Sequence, residues 1–158
     1  MDKTRFLVQA AAIAAIYVVL TLIFAPISFG ETLIEFRIAE ALTVLPLYTP
    51  AAIPGLFVGC LISNLFSPVG TLDIVLGSLA TLLAAYLTYR SGSKLLAPLP
   101  PVVVNALIIG GMLHYVYKFP LYLSVLSVGA GQLAVCYGLG LLLLFVLDKY
   151  KKYLFAGE

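Results

Sequence analysis

From Phe6 to Phe24 the chain carries no charged side chain, and runs of this kind recur almost to the end of the sequence. A helix needs about 20 predominantly apolar residues to cross a bilayer. Of the 158 residues, 63% are hydrophobic and 10% charged, where a soluble domain carries about 25% charged residues. About six crossings would use nearly all of this length, which leaves no room for a soluble domain. The expectation is an all-α membrane protein, a single integral membrane domain over residues 1–158. The first run shows no small-residue cleavage pattern after it, so it is expected to persist as the first helix rather than to be removed as a signal peptide.

The basic residues fix an expected orientation. Lys3 and Arg5, Arg90 and Lys94, and Lys149, Lys151 and Lys152 account for seven of the nine lysines and arginines. Positive charge gathers on the cytoplasmic side of membrane proteins. All three clusters are therefore expected inside, which requires an even number of crossings and two cytoplasmic termini.

Hydropathy and breakers then divide the chain into helices over about 6–24, 34–47, 51–65, 71–89, 102–117 and 121–147. Ala25-Pro-Ile-Ser-Phe-Gly30 ends the first, and the stretch to Leu33 is expected as an outer loop or lid. Pro46, Pro50 and Pro54 interrupt what would otherwise be one long span, so the chain is expected to enter, turn at Tyr48 and return. Eight of the ten tyrosines (48, 86, 89, 115, 117, 122, 150, 153) fall near predicted helix ends, as an interfacial aromatic belt requires. Two small-residue patterns permit close helix packing: Ala10-xxx-Ala14 with Ala11-xxx-Ala15 on the first helix, and Gly55-xxx-Gly59 on the third. The alanine face is a candidate docking surface for another subunit, or it packs within this chain. Cys60 and Cys136 lie in apolar runs without metal-like spacing and read as core residues.

Against this background the polar residues stand out. Glu35-Phe-Arg-Ile-Ala-Glu40 places ionisable groups in an oily segment, with Arg37 and Glu40 three apart and so on one helical face. A charge at the centre of a membrane helix costs about 2.5 to 3.5 kcal/mol, so such residues face a partner or a cavity. Asn64, Asp73, Asn105, His114 and Gln132 add polar groups from the other predicted helices, mostly toward the outer half. Each has a bland reading: an Arg37–Glu40 pair, a helix start at Asp73, or a single hydrogen bond between helices for the amides and His114. Together they resemble the few convergent polar groups of a small-molecule pocket, and the surplus of carboxylates favours a ligand with a cationic group. HExxH, GxSxG and GxxxxGK are all absent from the sequence. No catalytic residue, metal, cofactor or nucleic-acid partner is expected, and any uptake must draw on an ion gradient or on partner subunits.

Glu35-Phe-Arg-Ile-Ala-Glu-Ala-Leu-Thr-Val-Leu-Pro46, Ser63-Asn-Leu-Phe-Ser-Pro-Val-Gly-Thr-Leu-Asp73 and Gly77-Ser-Leu-Ala-Thr-Leu-Leu-Ala84 resemble the queuosine-precursor transporter family. These are substrate-binding S components of energy-coupling factor transporters. The resemblance implies a six-helix bundle in the prokaryotic plasma membrane that captures a 7-deazaguanine, such as the 7-aminomethyl form, at its outer face. It also implies a transmembrane coupling protein and two ATPase subunits as partners, docked on a small-residue motif that Ala10, Ala11, Ala14 and Ala15 fit. The ligand's adjacent N–H donors suit the Glu40 carboxylate, with Arg37 beside it. Asn64 or Asn105 suit its remaining polar edge, Phe36 or Tyr115 its ring, and Asp73 its aminomethyl cation, with His114 and Gln132 as further expected binding residues. Two other functions stay open on the residues alone: a solitary proton-coupled carrier for a small cationic or nucleobase-like solute, and a non-transporting assembly subunit.

Overall fold

In a computed structural model, residues 2–29 and 36–154 are described, with side chains to Tyr150. The Glu31 and Glu35 carboxylates, most of the expected outer loop, the expected helix start at Ile34 and the side chains of Lys151 and Lys152 lie outside the described residues. The helices in chain order are α1 (Lys3–Ile23), the one-turn α2 (Ala25–Ser28), α3 (Ile38–Leu47), α4 (Ala52–Asn64), α5 (Asp73–Ser91), α6 (Leu99–Tyr117) and α7. The last is built from Leu121–Leu133, Ala134–Gly140 and Leu141–Leu154 in one continuous run.

Four of these are long and apolar enough to cross a bilayer: Lys3–Ile23, Asp73–Ser91, Leu99–Tyr117 and Leu121–Tyr150. By contrast α4, at 13 residues, is roughly 20 Å long at about 1.5 Å per residue, against a hydrocarbon core of about 30 Å. The region around Pro46 and Pro50 forms two short apolar helices, Ile38–Leu47 and Ala52–Asn64, with a turn at Tyr48 between them.

α3 also departs from expectation in kind. It is a ten-residue 3₁₀ helix where the spacing predicts an α-helix, although 3₁₀ runs longer than 3–4 residues are uncommon. At three residues per turn, Glu40, Thr43 and Pro46 stack in one line, and all are buried.

Small residues set the helix spacing. A Cβ at Gly55 would lie 2.7 Å from the Ala10 carbonyl oxygen, and one at Gly59 would lie 2.8 Å from the Tyr17 Cβ and 3.0 Å from the Ala14 carbonyl oxygen. The glycine face of α4 is thus spent on the Ala10 and Ala14 face of α1. A Cβ at Gly110 would meet the Val125 backbone at 2.8 Å, which brings α6 against α7 in the same way. Ala11 and Ala15 lie on the opposite, exposed side of α1.

The apolar core is built mainly from two groups of residues. Ile13, Tyr17, Leu42, Leu45, Leu56 and Cys60 join α1, α3 and α4, while Ala80, Ala84, Ile109, Met112, Leu113 and Val128 join α5, α6 and α7. Outside it the usual order is inverted: Leu7, Leu107, Leu126 and Phe145 are exposed, while Glu40, Asn64 and Asp73 are buried. That exterior suits lipid rather than water, as in a membrane protein.

One end of the bundle is tied by polar contacts. The Tyr48 hydroxyl donates to Asp148 Oδ1 at 2.6 Å, and Lys94 forms an ion pair with Asp148. The Thr49 hydroxyl donates to Gln9 Oε1 at 3.0 Å. The α3–α4 turn, the α5–α6 loop and the far part of α7 therefore meet at one end. There, burial and the adjoining Asp148 carboxylate push the Tyr48 phenol well above its ordinary pKa.

Candidate functional site

Toward the opposite end, polar side chains from α1 and from α3 through α7 meet in the interior. Arg37 stands at the N-cap of α3, where the chain enters the bundle. Its Nη2 donates to Asp73 Oδ2 at 2.6 Å, its Nη1 points at Asn64 Oδ1 at 3.5 Å, and its guanidinium lies 5.7 Å from the centroid of the Phe29 ring. One planar cation thus draws together the ends of α2, α4 and α5. Asn64 completes the arrangement by donating through Nδ2 to the Asp73 carbonyl oxygen at 2.8 Å.

The first turn of α5, Asp73–Gly77, is a π-helix, a wider turn that often marks functional positions. Gly77 leaves room for two of these side chains: a Cβ there would lie 2.6 Å from both Asn64 Nδ2 and Asp73 Oδ1. Asp73 Oδ1 itself is buried without a hydrogen-bond partner among the described residues.

One 3₁₀ turn further along, Glu40 is held differently. The Tyr17 hydroxyl of α1 donates to its Oε1 at 2.5 Å, and Asn105 Nδ2 of α6 donates to its Oε2 at 3.2 Å. Its backbone carbonyl accepts from the Thr43 hydroxyl at 2.5 Å and faces the Cys136 thiol at 3.7 Å. Cys136 also donates to Gln132 Oε1 at 3.4 Å, which brings α7 into the network. Cys136 and Gln132 flank the start of a second π-helical stretch, Ala134–Gly140. On the other side, the Thr81 hydroxyl and Asn64 Nδ2 point at the Cys60 sulfur at 3.3 and 3.4 Å.

Arg37, Glu40, Asn64, Asp73, Asn105 and Gln132 are all buried in this one region. Arg37 and Glu40 stand one turn apart on the same line; Arg37 pairs with Asp73, and the Glu40 carboxylate accepts from Tyr17 and Asn105. His114 and Tyr115 sit elsewhere, exposed near the α6–α7 corner, where His114 Nδ1 donates to the Phe119 carbonyl oxygen at 2.5 Å and the Lys118 ammonium lies 4.8 Å from the Tyr115 ring centroid. Phe36 is partly exposed beside Arg37.

The network also contains residues the sequence reading did not select: Tyr17, Thr43, Thr81, Cys60 and Cys136. For Tyr17 a signal existed, because it is one of two tyrosines away from any predicted helix end. The cysteines are more than inert filling, since both sulfurs bond to site residues. Chemically, the region offers two buried carboxylates set in a largely apolar interior, one countered by arginine and one braced by neutral donors.

Comparison with known proteins gives this interior a family context. A family model described as QueT transporter matches residues 7–149. Over 83 residues the chain is 36% identical to the queuosine precursor transporter QueT of Lactococcus lactis subsp. cremoris (strain MG1363), a match covering 51% of this chain and 47% of that protein. The chain therefore aligns with about half the length of this curated relative. No solved structure matches the chain significantly. With the family match running from the first helix to the last, across every element that contributes to the buried network, the chain belongs to the QueT transporter family.

Proposed function

We propose that this protein is the membrane-embedded substrate-binding S component of an energy-coupling factor importer, and that it captures a 7-deazaguanine queuosine precursor from outside the cell. The family and the name of the Lactococcus lactis relative support the substrate class. The observation that carries the site is the braced carboxylate of Glu40, buried where α1, α3 and α6 meet. A carboxylate has two oxygens and about four acceptor positions, so bonds from Tyr17 and Asn105 leave capacity for two adjacent N–H donors of a guanine-like edge. Asp73 Oδ1, still without a donor among the described residues, is the acceptor for the aminomethyl ammonium. Asn64 and Gln132 serve the remaining polar atoms, and Phe36, next to Arg37, lines the approach.

The chain crosses the plasma membrane as a six-helix, multi-pass bundle with both termini in the cytoplasm. α3 and α4 together form its short pair, and the end carrying Lys94, Asp148 and Tyr48 faces inward. Uptake is driven by ATP hydrolysis in two partner ATPases through a transmembrane coupling protein. Ala11 and Ala15 supply the exposed part of the docking face, because α4 already covers Ala10 and Ala14. Titration calorimetry of the purified full chain with 7-aminomethyl-7-deazaguanine is expected to give a Kd at or below about 1 μM, equivalent to about −8 kcal/mol. No heat of binding, together with native mass spectra free of any co-purified small molecule, would remove the proposal.

A further inference from the structure

We propose that Tyr17, on α1, is a specificity-determining positioning residue: it holds the Glu40 carboxylate in the orientation that favours ligands presenting two adjacent N–H donors, as a 2-aminopyrimidin-4-one edge does. This rests on the substrate reading above and goes beyond it, because α1 otherwise contributes to the site only as a packing wall.

Three features place the hydroxyl. Tyr17 is 1% exposed, so its ring has no route to solvent. The close approach of Gly59 to its Cβ, where an added methyl would sit at 2.8 Å, fixes the root of the side chain against α4. Its hydroxyl donates to Glu40 Oε1, which ties the tip of the side chain to α3.

Glu40 is held at its backbone carbonyl and at both carboxylate oxygens. Thr43 and Cys136 bracket its carbonyl, and Asn105 reaches Oε2 from α6 while Tyr17 reaches Oε1 from α1. Two donors arriving from different helices hold the plane of the carboxylate. Its unused lone pairs then point in a fixed direction. A bidentate partner requires that plane to be fixed, since both of its hydrogen bonds must form together. A ligand with one N–H in that position is satisfied over a wider range of carboxylate angles. Tyr17 therefore contributes to selectivity and not only to affinity, and a site built to bond a particular group discriminates strongly against the analogue lacking it.

The test is equilibrium binding of 7-aminomethyl-7-deazaguanine and of its 2-deamino analogue to the full-length wild-type protein and to Tyr17→Phe, which deletes only the hydroxyl. Wild type is expected to prefer the 2-amino ligand by at least about tenfold. Tyr17→Phe is expected to bind that ligand about tenfold more weakly, while its affinity for the deamino analogue changes by less than about threefold. Equal losses for the two ligands, or no loss for either, would overturn the role of Tyr17 while leaving the substrate reading in place. Failure of wild type to bind either probe would overturn the substrate reading and this proposal with it. If Tyr17→Phe does not fold, Asn105→Ala, which removes the second donor to the same carboxylate, decides the matter through the same two ligands. A loss of about tenfold for the 2-amino ligand with less than about threefold for the deamino analogue supports the bracing of Glu40, and equal losses overturn it.

Discussion

Replacing Arg37 by methionine lowers the stability of the purified protein by about 3–5 kcal/mol, the cost of removing one partner from a buried ion pair. The methionine keeps much of the side-chain volume, so the loss reports the charge and its hydrogen bonds rather than a cavity. What remains is Asp73, fully buried, with Oδ2 stripped of its 2.6 Å donor and Oδ1 already without one among the described residues. Thermal unfolding in detergent reads the effect as a large fall in Tm. The double variant Arg37→Met/Asp73→Leu recovers most of it, because a pair replaced by apolar side chains leaves no orphaned charge. A single variant as stable as wild type would show that the ion pair does not hold the ends of α4 and α5 together.

Glu40→Gln separates binding from folding. The amide retains one acceptor oxygen where the carboxylate has two, so it cannot receive Tyr17, Asn105 and a bidentate ligand together. Loss of a charge-assisted bond of about 1.5–3 kcal/mol weakens binding of 7-aminomethyl-7-deazaguanine by about tenfold or more. The fold tolerates the change better than it tolerates loss of Arg37, because a neutral amide in the interior leaves no buried charge. Titration calorimetry checks this, and an unchanged affinity would take Glu40 out of the site.

The contrast between these variants reflects how the interior is divided. The Arg37–Asp73–Asn64 group ties helix ends together, as its contacts to the α4 and α5 termini and to Phe29 indicate. The Glu40–Tyr17–Asn105 group joins the middle of α1 to α6 across the start of α3. The first joins helix ends, and the second holds a carboxylate between helices in the interior.

Six of the buried polar residues were legible in the sequence for one physical reason: arginine, carboxylates and carboxamides are costly in an apolar segment, so their presence there demands partners. Tyr17, Thr43, Thr81, Cys60 and Cys136 raise no such alarm, because tyrosine, threonine and cysteine are at home in an apolar helix. Their part in the network becomes visible only in three dimensions.

The alanine face of α1 shows a related limit. A four-residue spacing of small side chains states that a backbone approaches closely, but not whose. The answer for Ala10 and Ala14 is Gly55 and Gly59 of the same chain. The 3₁₀ form of α3 was hidden for another reason. Residues three apart share a face in both helix types, so the Arg37 and Glu40 spacing fits either. The π turns at Asp73–Gly77 and Ala134–Gly140 carry no hydropathy signal at all.

A structure of the protein bound to 7-aminomethyl-7-deazaguanine tests the central claim most directly. Two ring-edge nitrogens of the ligand are expected within about 2.6–3.2 Å of the Glu40 carboxylate oxygens, with the Tyr17 and Asn105 donors still in place. A ligand seated elsewhere, with the Tyr17–Glu40–Asn105 contacts unchanged and closed to it, would contradict that claim.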